Sequence, residues 1–133
     1  MIRNLWLLWL FALWLQAETI HWMGSFDAAL KEAQSTGKPM LVLLVMHDCP
    51  PCRNQLASMS KENRIVELVN GKTIAVIVTK ENEDYPIELL YTLEFPTLFL
   101  LSPEENFLME PLRGETETPL LRRRLEEKLL NER

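Results

Sequence analysis

The stretch that most restricts this chain is Met40-Leu-Val-Leu-Leu-Val-Met46, an unbroken apolar run that stops just short of Cys49-Pro-Pro-Cys52. A continuous run, in contrast to an alternating one, fits a strand covered on both faces, as in a parallel sheet under helices. Two similar runs, Ile74-Ala-Val-Ile-Val78 and Thr97-Leu-Phe-Leu-Leu101, are each expected to be separated from the run before by helical stretches. That alternation predicts an α/β fold, a central sheet flanked by helices.

Local signals fill in the remaining elements. Ser25 caps a helix in which Phe26, Ala29, Leu30 and Ala33 recur at helical spacing, and Gly37 with Pro39 ends it. The turn Ser102-Pro-Glu-Glu-Asn106 leads into Phe107-Leu-Met109, read as a hairpin partner at the sheet edge, which makes the sheet mixed. Thr118 as N-cap and Pro119 at the first helical position open a last helix with Leu121, Leu125 and Leu129 on its buried stripe. The Arg122-Arg-Arg124 cluster has Glu126 and Glu127 four residues beyond Arg122 and Arg123, so it reads as a solvated, paired helix face and not as a docking patch.

With 133 residues, 47% of them hydrophobic, the chain has the material for one domain with its own core. A net charge of −5 and the lack of a broad basic patch exclude nucleic acid as a partner. At the N-terminus, Arg3 precedes an apolar run of eleven residues, Leu5 to Leu15. A spanning helix needs about 20 such residues, so residues 1–17 are expected to be a signal peptide cleaved after Ala17, with residues 18–133 as the exported domain. Leu15 stands where a small residue is expected three positions before the cut, and an uncleaved membrane tether is the alternative.

A disulfide between Cys49 and Cys52 would close almost no loop, so its value as a staple is small and its spacing points to chemistry; an inert local bridge is the bland alternative. Cys52, Leu56 and Met59 are spaced to share the inward face of a helix that the cysteine motif opens. Cys49 then falls at the helix N-terminus, where the macrodipole and free N–H groups favour a thiolate, and Cys52 lies one turn in and more buried. Cys49 is assigned the attacking role and Cys52 the resolving one, acting through a mixed disulfide.

Three motifs, Gly37-Lys-Pro39, Cys49-Pro-Pro-Cys-Arg53 and Phe95-Pro-Thr97, stand in an order that resembles the thioredoxin superfamily, over roughly Ile20 to Leu130. Within it the chain looks most like the C-terminal domain of the transmembrane disulfide reductase that carries electrons into the bacterial periplasm, and like small exported relatives. The resemblance implies a thioredoxin-like fold with a central mixed sheet and a cis proline at Pro96 facing the dithiol. It also implies that Phe95 and Pro96 act as substrate-binding residues through the backbone before the proline. Protein disulfides or dithiols are the expected substrates, a membrane protein the expected electron donor, and the domain a monomer. No cofactor and no metal ion are expected. Phe95 and Tyr91 are candidates to line the substrate groove, with core packing as the alternative for Tyr91.

Departures from the family pattern bear on mechanism. Leu43 stands where thioredoxins place a buried Asp that takes the proton of the resolving thiol, and Ile74 to Val78 offers no ionisable companion. Deprotonation of Cys52 is left to water or to a neighbour such as His47 or Asp48. Asp48 next to Cys49 disfavours its thiolate, and Pro50 and Pro51 have no N–H to offer its sulfur, leaving those of Cys52 and Arg53. Weaker stabilisation of the reduced form argues for a reductant, although Arg53 opposes the trend. Two other readings compete: a copper or zinc module built on His47, Cys49 and Cys52, with His21 as a remote fourth ligand, and a non-catalytic interaction domain.

Overall fold

The computed structural model describes residues 18–130. Helix α1 (Phe26–Thr36) starts where the Ser25 hydroxyl accepts the Ala28 N–H and stops at Gly37, whose φ of 75° permits the left-handed turn. Strand β1 (Met40–Val45) follows, then α2 (Pro50–Lys61), α3 (Asn63–Lys72), β2 (Ile74–Thr79), a short 3-10 turn at Lys80–Asn82, β3 (Thr97–Leu101), β4 (Leu112–Arg113) and α4 (Thr118–Leu130).

The sheet runs β2-β1-β3-β4, with β1 parallel to β2 and antiparallel to β3, so it is mixed as expected. β1 is central, and its unbroken apolar run reflects two cores. Leu41 and Leu43 pack with Leu98, Leu100 and residues of α2, α3 and α4 on one face, while Met40, Val42 and Leu44 pack with Phe26, Ala29 and Ala33 of α1 on the other. Beyond β2, Met23 makes a parallel bridge to Val76 and takes up part of that strand's open edge.

Three expectations are corrected and a fourth is sharpened. The stretch between β2 and β3 is not a helix: it holds the 3-10 turn and one helical turn closed by Leu90 N–H to Pro86 O, with Glu83 in the left-handed region (φ 49°) interrupting it. Phe107-Leu-Met109 does return as a hairpin partner of β3, with Phe107 opposite Leu101 and the Leu108 N–H on the Leu100 carbonyl, and the pairing resumes past Pro111 as Leu112 and Arg113 against Leu98 and Thr97. In α4 the first backbone bond runs from Leu121 N–H to Glu117 O, so the cap is Glu117 and Thr118 is already helical. Glu127 pairs with Arg124 and not with Arg123, while the Arg122 to Glu126 pair is present.

Leu121, Leu125 and Leu129 are buried as expected. The N-terminal segment, residues 1–17, lies outside the described residues. Among those described, no helix is long and apolar enough to cross a membrane.

Candidate active site

The parallel register pairs Val45 with Thr79, and the antiparallel register pairs Leu44 with Thr97. The end of β1, the end of β2 and the start of β3 therefore meet at one edge of the sheet. Three connections leave from that edge: residues 46–49 into α2, Lys80 onward, and Phe95-Pro96 into β3. This convergence brings the candidate residues together although they are far apart in sequence.

Cys49 is the N-cap of α2, extended at φ −117°, ψ 93°, and is joined by a disulfide to Cys52 with their Cα atoms 5.2 Å apart. The Cys52 N–H donates to the Cys49 sulfur at 3.2 Å. Arg53, the other donor left by the two prolines, gives its N–H to the Cys49 carbonyl instead, also at 3.2 Å. One amide therefore faces the sulfur where an unencumbered helix start offers more. Cys52 is not the more buried of the pair: both residues are 3% exposed, because the bridge holds Cys49 against the first turn.

The Phe95-Pro96 bond is cis. A pair of hydroxyls pins the loop before it: Thr97 Oγ1 donates to the Glu94 carbonyl at 2.6 Å and lies 3.0 Å from Thr92 Oγ1, which donates to the same carbonyl at 3.2 Å and accepts the Glu94 N–H at 3.2 Å. The Pro96 carbonyl accepts the Gly114 N–H at 2.7 Å. Two residues on, the Thr116 N–H donates at 2.7 Å to Oε1 of Gln55, a buried residue on the same face of α2 as Cys52. The segment 114–116 thus ties the proline loop to the dithiol helix. Gln55 was not singled out from sequence, though a polar side chain one turn from Cys52 on an inward stripe was a readable signal. Thr97 was part of the Phe95-Pro-Thr97 motif, whereas Thr92 and Gly114 left no signal.

His47 faces away from a metal role with the cysteines. Its N–H donates to both Glu81 oxygens, at 3.3 and 3.0 Å, and its Nδ1 lies 3.6 Å from Oε2. That backbone bond, above all, lowers the Glu81 pKa from its ordinary value of 4.5; burial opposes it, while the Glu81 N–H and the charges of His47 and Lys80 reinforce it. His21 sits at the opposite end of the sheet, its N–H bonded to Asn70 and its side chain lining a cavity with Thr73 and Ile74. Among the described residues, no group of three or more His, Cys, Asp or Glu is placed to hold a metal ion.

Leu43 is fully buried in β1 between its register neighbours Ile77 and Leu98. Asp48 adopts φ 51°, a left-handed conformation that Asp tolerates better than most residues, just before Cys49. Tyr91 is 63% exposed and not packed in the core, and it lines a cavity together with Phe95.

No curated protein matches the sequence. Among solved structures, a candidate disulphide isomerase from Bacteroides thetaiotaomicron superposes with a TM-score of 0.72 at 22% identity, covering 89% of this chain and 99% of that one. The oxidoreductase DsbH gives 0.71 at 16% identity, covering 87% and 88%. A thioredoxin from Thermus thermophilus gives 0.68 at 17%, covering 83% and 87%. At these identities the likeness is one of fold. A family model described as thioredoxin-like matches residues 21–103, well over half of the chain. With that match, and with its redox-type cysteine pair at the head of α2, the chain belongs to the thioredoxin-like family of thiol/disulfide oxidoreductases.

Proposed function

We propose that the protein is an extracytoplasmic disulfide reductase in which Cys49 attacks, Cys52 resolves, and the backbone at Phe95 and Pro96 aligns the substrate chain. The observation that carries this reading is the Cys49–Cys52 bridge at the head of α2 with a single amide donor on the Cys49 sulfur. In the reduced protein the Cys49 thiolate attacks one sulfur of a substrate disulfide, forming a mixed disulfide and releasing the other substrate sulfur as a thiolate. Cys52 then loses its proton and attacks the Cys49 sulfur, closing the intramolecular bridge and expelling the second substrate thiolate. The substrate gains two electrons and, on protonation, two protons; the protein loses both.

The direction follows from how weakly the thiolate is held. A strong oxidant of this chemistry stabilises its reduced form, and here two prolines remove amides while Arg53 spends its own on a carbonyl. The oxidised protein must be recharged by an outside dithiol, which suits a membrane-borne donor of the kind served by the C-terminal domain that the sequence resembles. Residues 1–17 supply the export signal or a tether, and residues 18–133 act as a monomeric domain.

The test is to express Cys52→Ala and trap mixed disulfides at Cys49, alongside a measured reduction potential for the wild type. Trapped partners at Cys49 and a potential near that of thioredoxin, about −270 mV, support the reading. A potential near −120 mV, typical of strong periplasmic oxidants, overturns the direction. Trapping through Cys52 in Cys49→Ala and not the reverse overturns the assignment of roles.

A further inference from the structure

Beside the cis proline lies a groove that the exchange chemistry itself does not use. Its cavity, of about 300 Å³, is walled by Leu44, Tyr85, Ile87, Tyr91, Leu93 and Phe95, and its charged lining residues are Lys80 and Glu83. Three of these side chains face solvent with nothing over them among the described residues: Ile87 at 44%, Tyr91 at 63% and Leu93 at 81% exposure. The groove shares Phe95 with the proline loop, so a chain seated at Pro96 would run directly into it.

The surroundings are acidic. Glu83 lines the cavity, Asp84 and the His47-bonded Glu81 lie close enough to act on its Tyr85 wall, and Glu88, Glu94 and Asp48 are further exposed carboxylates of the neighbouring chain. Lys80 is the segment's single cation, and its Nζ is drawn over the Phe95 ring, 5.5 Å from the centroid. Arg53 on α2 and Arg113 on β4 are the other positive groups at this edge of the sheet. The field reaches the groove wall, where burial first and then Glu83, Asp84 and Glu81 push the Tyr85 hydroxyl to a higher pKa.

Resting on the reductase reading, we infer that this groove selects substrates whose disulfide lies in a cationic segment, with one large apolar side chain near the cysteine seated against Tyr91 and Leu93 and Lys or Arg residues in the acidic surroundings. The apolar contact supplies affinity and the carboxylates supply discrimination and speed of encounter.

The probes are three synthetic peptides, each cyclised by one disulfide: one with Phe near a cysteine and Lys flanks, one with Phe and Glu flanks, and one with Gly for Phe and Lys flanks. Dithiothreitol-reduced, desalted protein is mixed with each under anaerobic conditions, and single-turnover rates are read by acid quench and mass. At low ionic strength the Lys-flanked Phe peptide is expected to react about tenfold faster than the Glu-flanked one, the gap closing to about twofold in 0.5 M salt. The Gly peptide is expected to be several-fold slower than its Phe counterpart.

A thiolate by itself favours cationic peptides, so the deciding variants lie away from the sulfurs. Glu83→Lys with Asp84→Lys, or the milder Glu83→Gln with Asp84→Asn, is expected to shrink the Lys preference to under about threefold. Equal rates for the two charge forms in the wild type, or a preference that survives in both variant pairs, overturns the groove while leaving the reductase reading intact. No turnover of any peptide overturns both.

Discussion

Gln55 offers a direct measure of how firmly the proline loop is fixed to the dithiol helix. The residue is 2% exposed, and its Oε1 accepts the Thr116 N–H at 2.7 Å. Replacing it with Ala removes that acceptor and leaves a gap between α2 and the segment that follows β4. Losing a neutral hydrogen bond and leaving its partner unmet costs about 1–3 kcal/mol; because Thr116 is half-buried and can regain water, the lower end, about 1 kcal/mol, applies. The gap adds about 1–2 kcal/mol, giving roughly 2–3 kcal/mol in all. For a domain of this size each kcal/mol moves the melting midpoint by about 3–5 °C, so a fall on the order of 10 °C is expected.

The companion variant Gln55→Leu separates the two contributions. It keeps the volume and removes only the acceptor, so its melting midpoint should fall by about 3–5 °C. Thermal unfolding followed by circular dichroism, with the disulfide intact, measures both, and urea midpoints at constant slope check that the unfolded state is unchanged. Because Gly114 and Thr116 carry the Pro96 carbonyl and the Gln55 bond on one short segment, both variants should also slow reaction with a peptide disulfide more than with a small disulfide. If Gln55→Leu is as stable as the wild type and just as fast on peptides, the tie between α2 and the proline loop carries no weight and the reasoning fails.

Other expectations follow from the same geometry. Pro51→Ala returns an N–H to the first turn of α2, within reach of the Cys49 sulfur, and should speed attack on a small disulfide at neutral pH by about threefold; an unchanged stopped-flow rate would show that the missing amide does not limit the thiolate. Leu43→Asp places a carboxyl between Ile77 and Leu98, where burial raises its pKa, so the variant's stability deficit should be smallest at acid pH and grow as pH rises from about 4 through the raised value; a pH-independent deficit in urea midpoints would contradict this. For Glu81 the sign is opposite. Its folded pKa lies below 4.5, so the stability it lends is present above that value and lost as pH falls through the folded pKa. Glu81→Gln should therefore melt below the wild type at neutral pH and match it in acid, and a gap that persists at low pH would place the effect elsewhere.

How much of this was legible in the sequence depends on whether a residue's partner was also apolar and near. β1 could be read because burial on both faces leaves no polar gap in Met40–Val45, and α4 because its three buried leucines repeat every four residues. The turn region before β3 was expected to be helical only because strands of an α/β sheet alternate with helices; its own residues do not sustain one, as Ile87 points outward and only one turn forms. Phe107 to Met109 did pair with β3 as its apolar pattern suggested, but nothing in that pattern told that the longer pairing would resume past Pro111 at Leu112 and Arg113. What no apolar pattern can report is a polar side chain that answers a distant backbone group. Gln55 and Thr116 are 61 positions apart, and the acceptor of the Gly114 N–H is a carbonyl, a group every residue possesses.

The same distinction separates the parts of the active edge. The cysteines announce their chemistry by spacing, and the proline loop by its place before an apolar strand, because each is a local pattern. Their mutual position rests on the register of β1 with β2 and β3, which apolar runs of similar length leave open by a residue or more. A slip of one residue in β3 would turn Thr97 away from Thr92 and carry Pro96 off the edge where α2 begins. The hydroxyl pair at Thr92 and Thr97, the Gly114 to Pro96 bond and the Gln55 to Thr116 bond all oppose that slip. They hold the proline loop against the helix that carries both sulfurs, and they do so with groups that take no part in the exchange.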